Sequence, residues 1–140
     1  MKITFEMQSH TPLGLFILFF AASPKGNPKG SIFDEALPNR FGLYKQYTGG
    51  GINNYGISYS ARYNGDPRGV VRMRKNVGRK ELKEGRDYAS EETGVWHKIK
   101  LVKRGLKIKF YIDDNLVFKY KAKNKKDMHK SGYIGKIRVY

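Results

Sequence analysis

The sequence predicts an all-β protein with the architecture of a two-sheet antiparallel sandwich. Sixteen glycines and five prolines in 140 residues indicate frequent turns. No long stretch shows the apolar period of an amphipathic helix, whereas several short segments alternate apolar and polar residues as half-buried strands do. The length and the apolar content are typical of one domain with one core, so residues 1–140 are expected to form a single β-sandwich domain.

The strands are expected where alternating or continuously apolar segments lie between turn residues. Residues 2–7 alternate, and the apolar run 13–22 is expected to be a strand buried on both faces. Residues 96–121 alternate three times across two short turns, which is typical of a β-meander. Segment 23–40 is predicted to be a long irregular loop, 78–94 a polar loop with at most one helical turn, and 123–131 a basic loop. The predicted strands are 2–7, 13–22, 41–48, 52–63, 70–76, 96–103, 106–112, 116–121 and 132–140.

The apolar run 13–22 is too short to cross a bilayer as a helix, which needs about 20 residues. A secretory signal is disfavoured because Glu6 lies in the segment that should be basic. Cleavage after Ser23 would also place Pro24 directly behind the scissile bond. We therefore expect no membrane partner, and the location stays open with the cytoplasm favoured.

The charge is strongly positive, since 28 Lys and Arg oppose 12 Asp and Glu to give +16. Most of the excess lies in residues 71–140. Such a field favours a polyanion, whether nucleic acid, an anionic membrane surface or an acidic polysaccharide, although part of it could be a solvated face. The absence of cysteine excludes disulfides, cysteine zinc sites and thiol catalysis.

Residues 95–117 resemble a hairpin signature of the concanavalin A-like lectin/glucanase superfamily. A Trp96-His97 opening leads through alternating aliphatic residues to a turn at Asp113-Asp114. His97, Ile99 and Leu101 would share one face of this hairpin, and Asp113 would supply a side-chain acceptor in the turn.

Four further segments, 17–22, 41–47, 52–59 and 72–78, follow in an order that resembles an uncharacterised bacterial family within this superfamily. Members of that family tend to be encoded beside polysaccharide-degrading, often pectin-degrading, enzymes. The resemblance implies a concanavalin A-like jelly roll. Family members are longer, which implies that this chain lacks terminal strands, and often have His where this chain has Gly56.

The resemblance implies a carbohydrate-binding or carbohydrate-processing accessory domain, and the charge favours an acidic polysaccharide as its ligand. The Glu-x-Asp-x-x-Glu motif of the related glucanases is absent, and the adjacent acid pairs 34–35, 91–92 and 113–114 lie in predicted loops or turns. A glycoside hydrolase needs two carboxylates at a defined separation. A polysaccharide lyase, which needs a base and a cation that neutralises a uronate, remains an alternative. The side chains of suitable type are Tyr44, Tyr47, Arg72, Arg74 and His97.

The candidate ligand-binding residues are polar side chains that share faces of neighbouring predicted strands. If strands 52–63 and 70–76 pair, their polar faces form a cationic groove suited to hydroxyl and carboxylate groups. The same residues could also be an ordinary exposed sheet face. The predicted set is Tyr44, Gln46, Asn54, Ser58, Arg62, Arg72, Arg74 and Asn76.

The lysines of the meander also share one face by period. Lysine on strands commonly keeps sheets soluble, so a polyanion site is the alternative interpretation. Nucleic acid is a second functional alternative, for which Trp96 and Tyr111 could stack on bases, but no nucleic-acid-binding motif is present. The three histidines show no metal-ligand spacing, and no dense acidic loop suggests calcium, so no metal or cofactor is expected. An open sheet edge, left by a missing terminal strand, would favour a homodimer.

Overall fold

The regular secondary structure of the protein, described by a computed structural model, is almost entirely β-strand. The structure describes residues 1–41, 43–130 and 132–139, with side chains described up to residue 136. Gly42, Ser131 and Tyr140, which fall in the predicted segments 41–48, 123–131 and 132–140, lie outside the described residues. No helix in the described ranges has the length and apolar character needed to span a membrane.

Antiparallel pairing organises the strands into two sheets. Within the described residues the strands are β1 (Lys2–Gln8), β2 (Gly14–Pro24), β3 (Ile52–Tyr63), β4 (Asp66–Pro67), β5 (Val70–Asn76), β6 (Lys80–Arg86), β7 (Trp96–Arg104), β8 (Lys107–Ile112), β9 (Asn115–Lys121) and β10 (Tyr133–Val139). One short helix, α1 (Tyr44–Thr48), precedes β3, and a 3₁₀ turn (Lys125–Asp127) precedes β10.

The smaller sheet has the strand order β1-β7-β8-β9. The larger sheet has the order β10-β2-β3-β5-β6, with β4 paired to β3. The predicted meander is therefore three adjacent strands of the smaller sheet. The predicted all-β, two-sheet sandwich is confirmed.

The core lies between the two sheets and is built from the alternating apolar residues of each. Leu18 and Ile57 of the larger sheet and Leu101 and Phe110 of the smaller sheet are fully buried in one cluster. Each such side chain contributes about 1.5–3 kcal/mol by leaving water. The period-2 pattern in the sequence thus sets which face of each strand is turned inward.

The outer face of β3 is also buried, which its polar residues did not predict. Asn54, Ser58 and Arg62 are all less than 5% exposed. Asn54 bonds to Tyr47 of helix α1, Arg62 bonds to Ser90 of the loop 87–94, and Ser58 accepts a hydrogen bond from Arg68. Only part of this face therefore remains open to solvent.

Two predicted elements are wrong. Segment 41–48 is a helix at Tyr44–Thr48 and not a strand, because Gln46 Oε1 accepts hydrogen bonds from the backbone N–H groups of Phe41 and Leu43 and so fixes a helical first turn. A segment this short fits either period. Segment 78–94 contains strand β6 and is not only a loop. Leu82 is the one apolar residue of this strand, so the sequence shows no alternation of apolar and polar residues there. A charged edge strand is a common protection against aggregation.

Candidate functional site

Strands β3 and β5 are hydrogen-bonded neighbours, as the predicted groove requires. Their register places Ser58 opposite Arg72 and Gly56 opposite Arg74. Because side chains at paired positions project to the same face, Ser58, Arg72 and Arg74 all lie on the outer face of the larger sheet. The core-facing positions between them, Ile57 and Met73, are fully buried.

A pocket of about 280 Å³ opens on this outer face. We call it the arginine pocket, because four guanidinium groups line it. Its lining residues are Leu15, Ile17, Tyr44, Ser58, Tyr63, Arg68, Arg72, Arg74 and Arg79.

Arg68 and Arg72 are held in place by neighbouring groups. The Arg68 guanidinium donates to the carbonyl of Val70 and to the hydroxyl of Ser58, both at 3.0 Å. Nε of Arg72 lies 3.7 Å from a carboxylate oxygen of Glu84 and 3.9 Å from one of Glu81. That Nε is buried and makes no hydrogen bond to the described residues. Arg68 is therefore oriented by hydrogen bonds before any ligand arrives, whereas Arg72 is positioned only by its two longer ion pairs.

Arg74 differs from Arg72 in its surroundings. Glu81 lies opposite Arg74 in the β5–β6 register, yet its carboxylate approaches Arg72. Within the described part of the chain, no carboxylate lies within 4.0 Å of the Arg74 guanidinium. Arg74 therefore faces the pocket with its charge uncompensated.

Aromatic rings form two sides of the pocket. Helix α1 carries Tyr44, and the Arg79 guanidinium lies 5.3 Å from the centre of the Tyr44 ring. The helix is fixed on the sheet by Tyr47, whose ring stacks on Phe19 at 5.1 Å. Tyr63, at the end of β3, is 56% exposed. An aromatic face beside guanidinium groups can bind a planar or ring-shaped anionic ligand.

Four of the predicted ligand-binding residues have structural roles and do not line the pocket. Gln46 caps α1, and its side-chain amide also donates to the carbonyl of Asn39 at 3.1 Å. Asn54 and Asn76 bond each other in the buried layer beneath α1, where Asn54 also donates to the Tyr47 carbonyl at 2.7 Å. Arg62 donates to loop carbonyls that include Ser90, Glu92 and Thr11.

Besides the aliphatic Leu15 and Ile17, three lining residues of the pocket were not among those predicted from the sequence, whereas Tyr44, Ser58, Arg72 and Arg74 were. Arg68 and Tyr63 flank the turn between β3 and β5, and Arg79 lies in the turn between β5 and β6. Alternation along strands points only to strand positions, whereas these residues reach the pocket from connecting segments or a strand end. The turn signal at residues 64–67 was the available clue, because it predicts that its two flanks come together.

Two residues considered for a lyase lie elsewhere. His97 is buried on the inner side of β7, where its Nδ1 lies 2.5 Å from Asp113 Oδ2. The same carboxylate accepts a hydrogen bond from the backbone N–H of Lys98 at 2.8 Å. Asp113 thus supplies the side-chain hydrogen-bond acceptor that the sequence predicted for this turn. Tyr47 packs on Phe19. Among residues 1–41, 43–130 and 132–139, no three His, Asp or Glu side chains cluster in a way that could hold a metal ion.

Solved structures share this fold. A protein of unknown function with a galectin-like fold from Bacillus subtilis superposes with a TM-score of 0.87 and 25% identity, covering 99% of this chain and 64% of that chain. Sheep galectin-11 superposes with a TM-score of 0.51 and 9% identity, covering 97% of this chain and 88% of the galectin chain. A β-glucanase from Bacillus licheniformis superposes with a TM-score of 0.50 and 13% identity, covering 99% of this chain and 50% of the glucanase chain. The last two likenesses show the fold alone.

This chain thus spans less than two thirds of the length of its Bacillus subtilis relative. A comparison with curated protein sequences finds no significant match. A family model described as a domain of unknown function, DUF1961, matches residues 1–139. The chain belongs to the DUF1961 family, on a galectin-like, concanavalin A-like sandwich.

Proposed function

We propose that this protein is a carbohydrate-binding domain whose arginine pocket takes an acidic saccharide, such as a segment of a uronic-acid polysaccharide. The observation that carries the proposal is the uncompensated guanidinium of Arg74 beside Arg72, in a pocket walled by Tyr44 and Tyr63. The expected bacterial origin and pectin-related gene neighbourhood would fit such a ligand.

The charge balance supports an anionic ligand. Four arginines line the pocket, while Glu81 and Glu84 approach Arg72 from β6. Among the described residues, the excess positive charge therefore lies at Arg68, Arg74 and Arg79. A guanidinium binds a carboxylate through two parallel N–H donors, which makes arginine well suited to a uronate.

The remaining lining residues support a sugar ring as the carrier of that anion. Tyr63, which is 56% exposed, offers an aromatic face against which the C–H face of a pyranose can pack, and Tyr44 lines the same pocket. The Ser58 hydroxyl, already bound by Arg68, has acceptor capacity left for a sugar hydroxyl. The galectin and β-glucanase structures on the same fold are consistent with a carbohydrate ligand.

The test is calorimetric measurement of the affinity of the wild-type protein and of the Arg74→Gln variant for oligogalacturonate. The matched control is Lys25→Gln, which removes one exposed positive charge from the segment after β2, away from both cationic sites. We expect Arg74→Gln to weaken binding by about tenfold, or about 1.4 kcal/mol, because a charge-assisted bidentate contact is lost. Equal weakening in both variants would contradict the proposal, since it would show dependence on net charge alone. Tight binding of the fully methyl-esterified oligosaccharide would contradict the acidic preference.

A polysaccharide lyase is the second candidate, because Tyr44 lines the same pocket as Arg72 and Arg74. In that reaction a base removes the C5 proton beside the uronate carboxylate while arginines stabilise the negative charge. The C4–C5 double bond then forms as the C4–O glycosidic bond breaks, and the leaving sugar oxygen takes up a proton. The assay is the ultraviolet absorbance of the unsaturated product. Product formation by wild type that disappears in Tyr44→Phe would support the lyase, whereas binding without product would leave the binding domain as the function.

A further inference from the structure

A second cationic groove lies at an edge of the sandwich, and none of its lining residues lines the arginine pocket. It has a volume of about 660 Å³ and lies where β6 of the larger sheet meets β8 and β9 of the smaller sheet. We call it the lysine groove. Its lining residues are Leu82, Lys83, Lys107, Lys109, Lys119, Tyr120 and Lys121.

The lysines of this groove face one another across the strands. The β8–β9 register places Lys107 directly opposite Lys121 and Lys109 directly opposite Lys119. On the next strand, Arg104 lies opposite Lys107. Like charges at directly opposite positions destabilise a sheet, so this arrangement works against folding.

No acidic group relieves this repulsion in the described part of the chain. Lys98 and Lys100, at the other end of the same sheet face, approach Asp114 at 2.8 and 4.0 Å. Lys107, Lys109 and Lys121 have no carboxylate within that distance among the described residues. Glu81 and Glu84 of the nearby β6 instead approach Arg72 in the arginine pocket.

Protection of a sheet edge does not account for this pattern. Charged residues protect a sheet when they lie on its edge strand, here β9. Lys107 and Lys109 lie on β8, which is paired on both sides, with β7 and with β9. A solubilising surface also mixes both signs of charge.

The groove has an apolar floor as well as a cationic rim. Leu82 and Tyr120 are partly buried against the core and still line the groove. One aromatic ring among several ammonium groups fits a sugar ring that carries carboxylates or sulfates. A nucleic-acid strand would call for a succession of stacking platforms. On the neighbouring surface, Tyr111 is already covered by the Lys100 ammonium at 4.2 Å.

We propose that the lysine groove is a second binding site for an acidic polysaccharide, lined by a set of residues that shares no member with the arginine pocket. The domain then holds a polyanionic chain at two places, or holds two chains at once. This goes beyond the proposed function, because the site uses different residues and is tested by different variants.

The test measures the binding of polygalacturonate by affinity electrophoresis at near-physiological salt. The groove variant is Lys107→Gln/Lys121→Gln. The matched control, Lys25→Gln/Lys29→Gln, removes the same charge from exposed positions after β2. Thermal unfolding of each variant checks folding, and we expect the groove variant to be at least as stable as wild type because a like-charge pair is removed.

We expect the groove variant to bind polygalacturonate about tenfold more weakly, while the control variant changes less than about twofold. Equal weakening in the two variants would overturn the proposal, because net charge alone would explain it. Unchanged binding with raised stability would also overturn it and leave the lysines as a solvated face. Tighter binding of single-stranded DNA than of polygalacturonate, sensitive to the groove variant, would assign the groove to nucleic acid instead.

The Arg74→Gln variant separates this proposal from the proposed function. Weaker polygalacturonate binding in the groove variant alone would support the lysine groove as a site and argue against the arginine pocket. Weaker binding in Arg74→Gln alone would support the arginine pocket and argue against the lysine groove. Both proposals require that each variant weakens binding and that the combined variant is weaker than either.

Discussion

The side chain of Asn76 donates a hydrogen bond to Oδ1 of Asn54 at 2.8 Å, across the directly opposed positions of β5 and β3. Both residues are at most 2% exposed. Asn54 in turn donates to the Tyr47 carbonyl and so connects the sheet to α1, which carries Tyr44 into the arginine pocket. Two polar residues that the sequence suggested as ligand contacts thus support the element that forms the pocket wall.

The first prediction concerns this pair. Asn54→Ala leaves the Asn76 amide and the Tyr47 carbonyl without their partner in a buried layer, and we expect the free energy of unfolding to fall by about 1–3 kcal/mol. Denaturant unfolding measures the change. Asn53→Ala, at a partly exposed neighbouring position, is the control and should change stability by less than about 0.5 kcal/mol. Similar losses in the two variants would show that the Asn54–Asn76 bond is unimportant.

The second prediction concerns Arg62, which is 4% exposed and binds the loop between β6 and β7. Its guanidinium donates to the carbonyls of Ser90, Ala89 and Glu92. Because lysine cannot reproduce this fork of donors, we expect Arg62→Lys to lower the free energy of unfolding by about 3 kcal/mol.

Urea unfolding tests the Arg62 prediction, with Arg104→Lys at an exposed site as the control. Oligogalacturonate affinity, measured where both proteins are folded, should not change in either variant. A tenfold loss of affinity in the folded Arg62→Lys variant would show that Arg62 takes part in ligand binding.

The third prediction concerns two buried tyrosines and alkaline pH. Burial raises the pKa of Tyr55 to about 12 and raises the pKa of Tyr59 still further above its ordinary value of 10.0. The unfolded chain therefore loses these protons first, near pH 10, while the folded chain keeps them. Stability should be fully present below pH 10 and should fall as the pH rises from 10 to 12, by up to about 1.4 kcal/mol per pH unit for each tyrosine.

Unfolding followed against pH tests this, and two variants separate the tyrosines. Tyr55 donates to the Met128 sulfur and accepts from the His129 N–H, so Tyr55→Phe should cost stability at neutral pH. The Tyr59 hydroxyl makes no hydrogen bond to the described residues, so Tyr59→Phe should be neutral or stabilising. Each variant should reduce the alkaline slope. A slope that is the same in wild type and both variants would contradict the prediction.

The fourth prediction concerns Gly85, where the edge strands β6 and β9 meet. A Cβ atom at this position would lie 2.1 Å from the Val117 carbonyl oxygen, so the two strands would have to move apart. We expect Gly85→Ala to lower the free energy of unfolding by about 2 kcal/mol or more. In β10, a Cβ atom added to Gly135 would meet nothing within 4 Å, so Gly135→Ala is the control. Thermal unfolding should show a loss in Gly85→Ala alone, and an unchanged midpoint there would contradict the close approach.

The alternation of residues along the chain determined the fold class and most strands. Tyr55, Ile57 and Tyr59 point to the core as their period requires, and β5 begins and ends where the sequence predicted. The physical reason is local, since a strand turns alternate side chains to opposite faces and burial favours the apolar set. The same rule placed Ser58, Arg72 and Arg74 on one face.

The tertiary structure decided which polar residues on that face remain available to a ligand. The sequence shows that Asn54, Arg62 and Arg72 are polar, but whether a loop or helix covers them depends on contacts between distant segments. The loop after β6 binds Arg62, α1 covers Asn54, and the turns around β5 bring Arg68 and Arg79 to the pocket. The opposition of Lys107 to Lys121 likewise depends on the register of two paired strands. Period-2 patterning sets the face of a residue, whereas only packing between elements sets its neighbours.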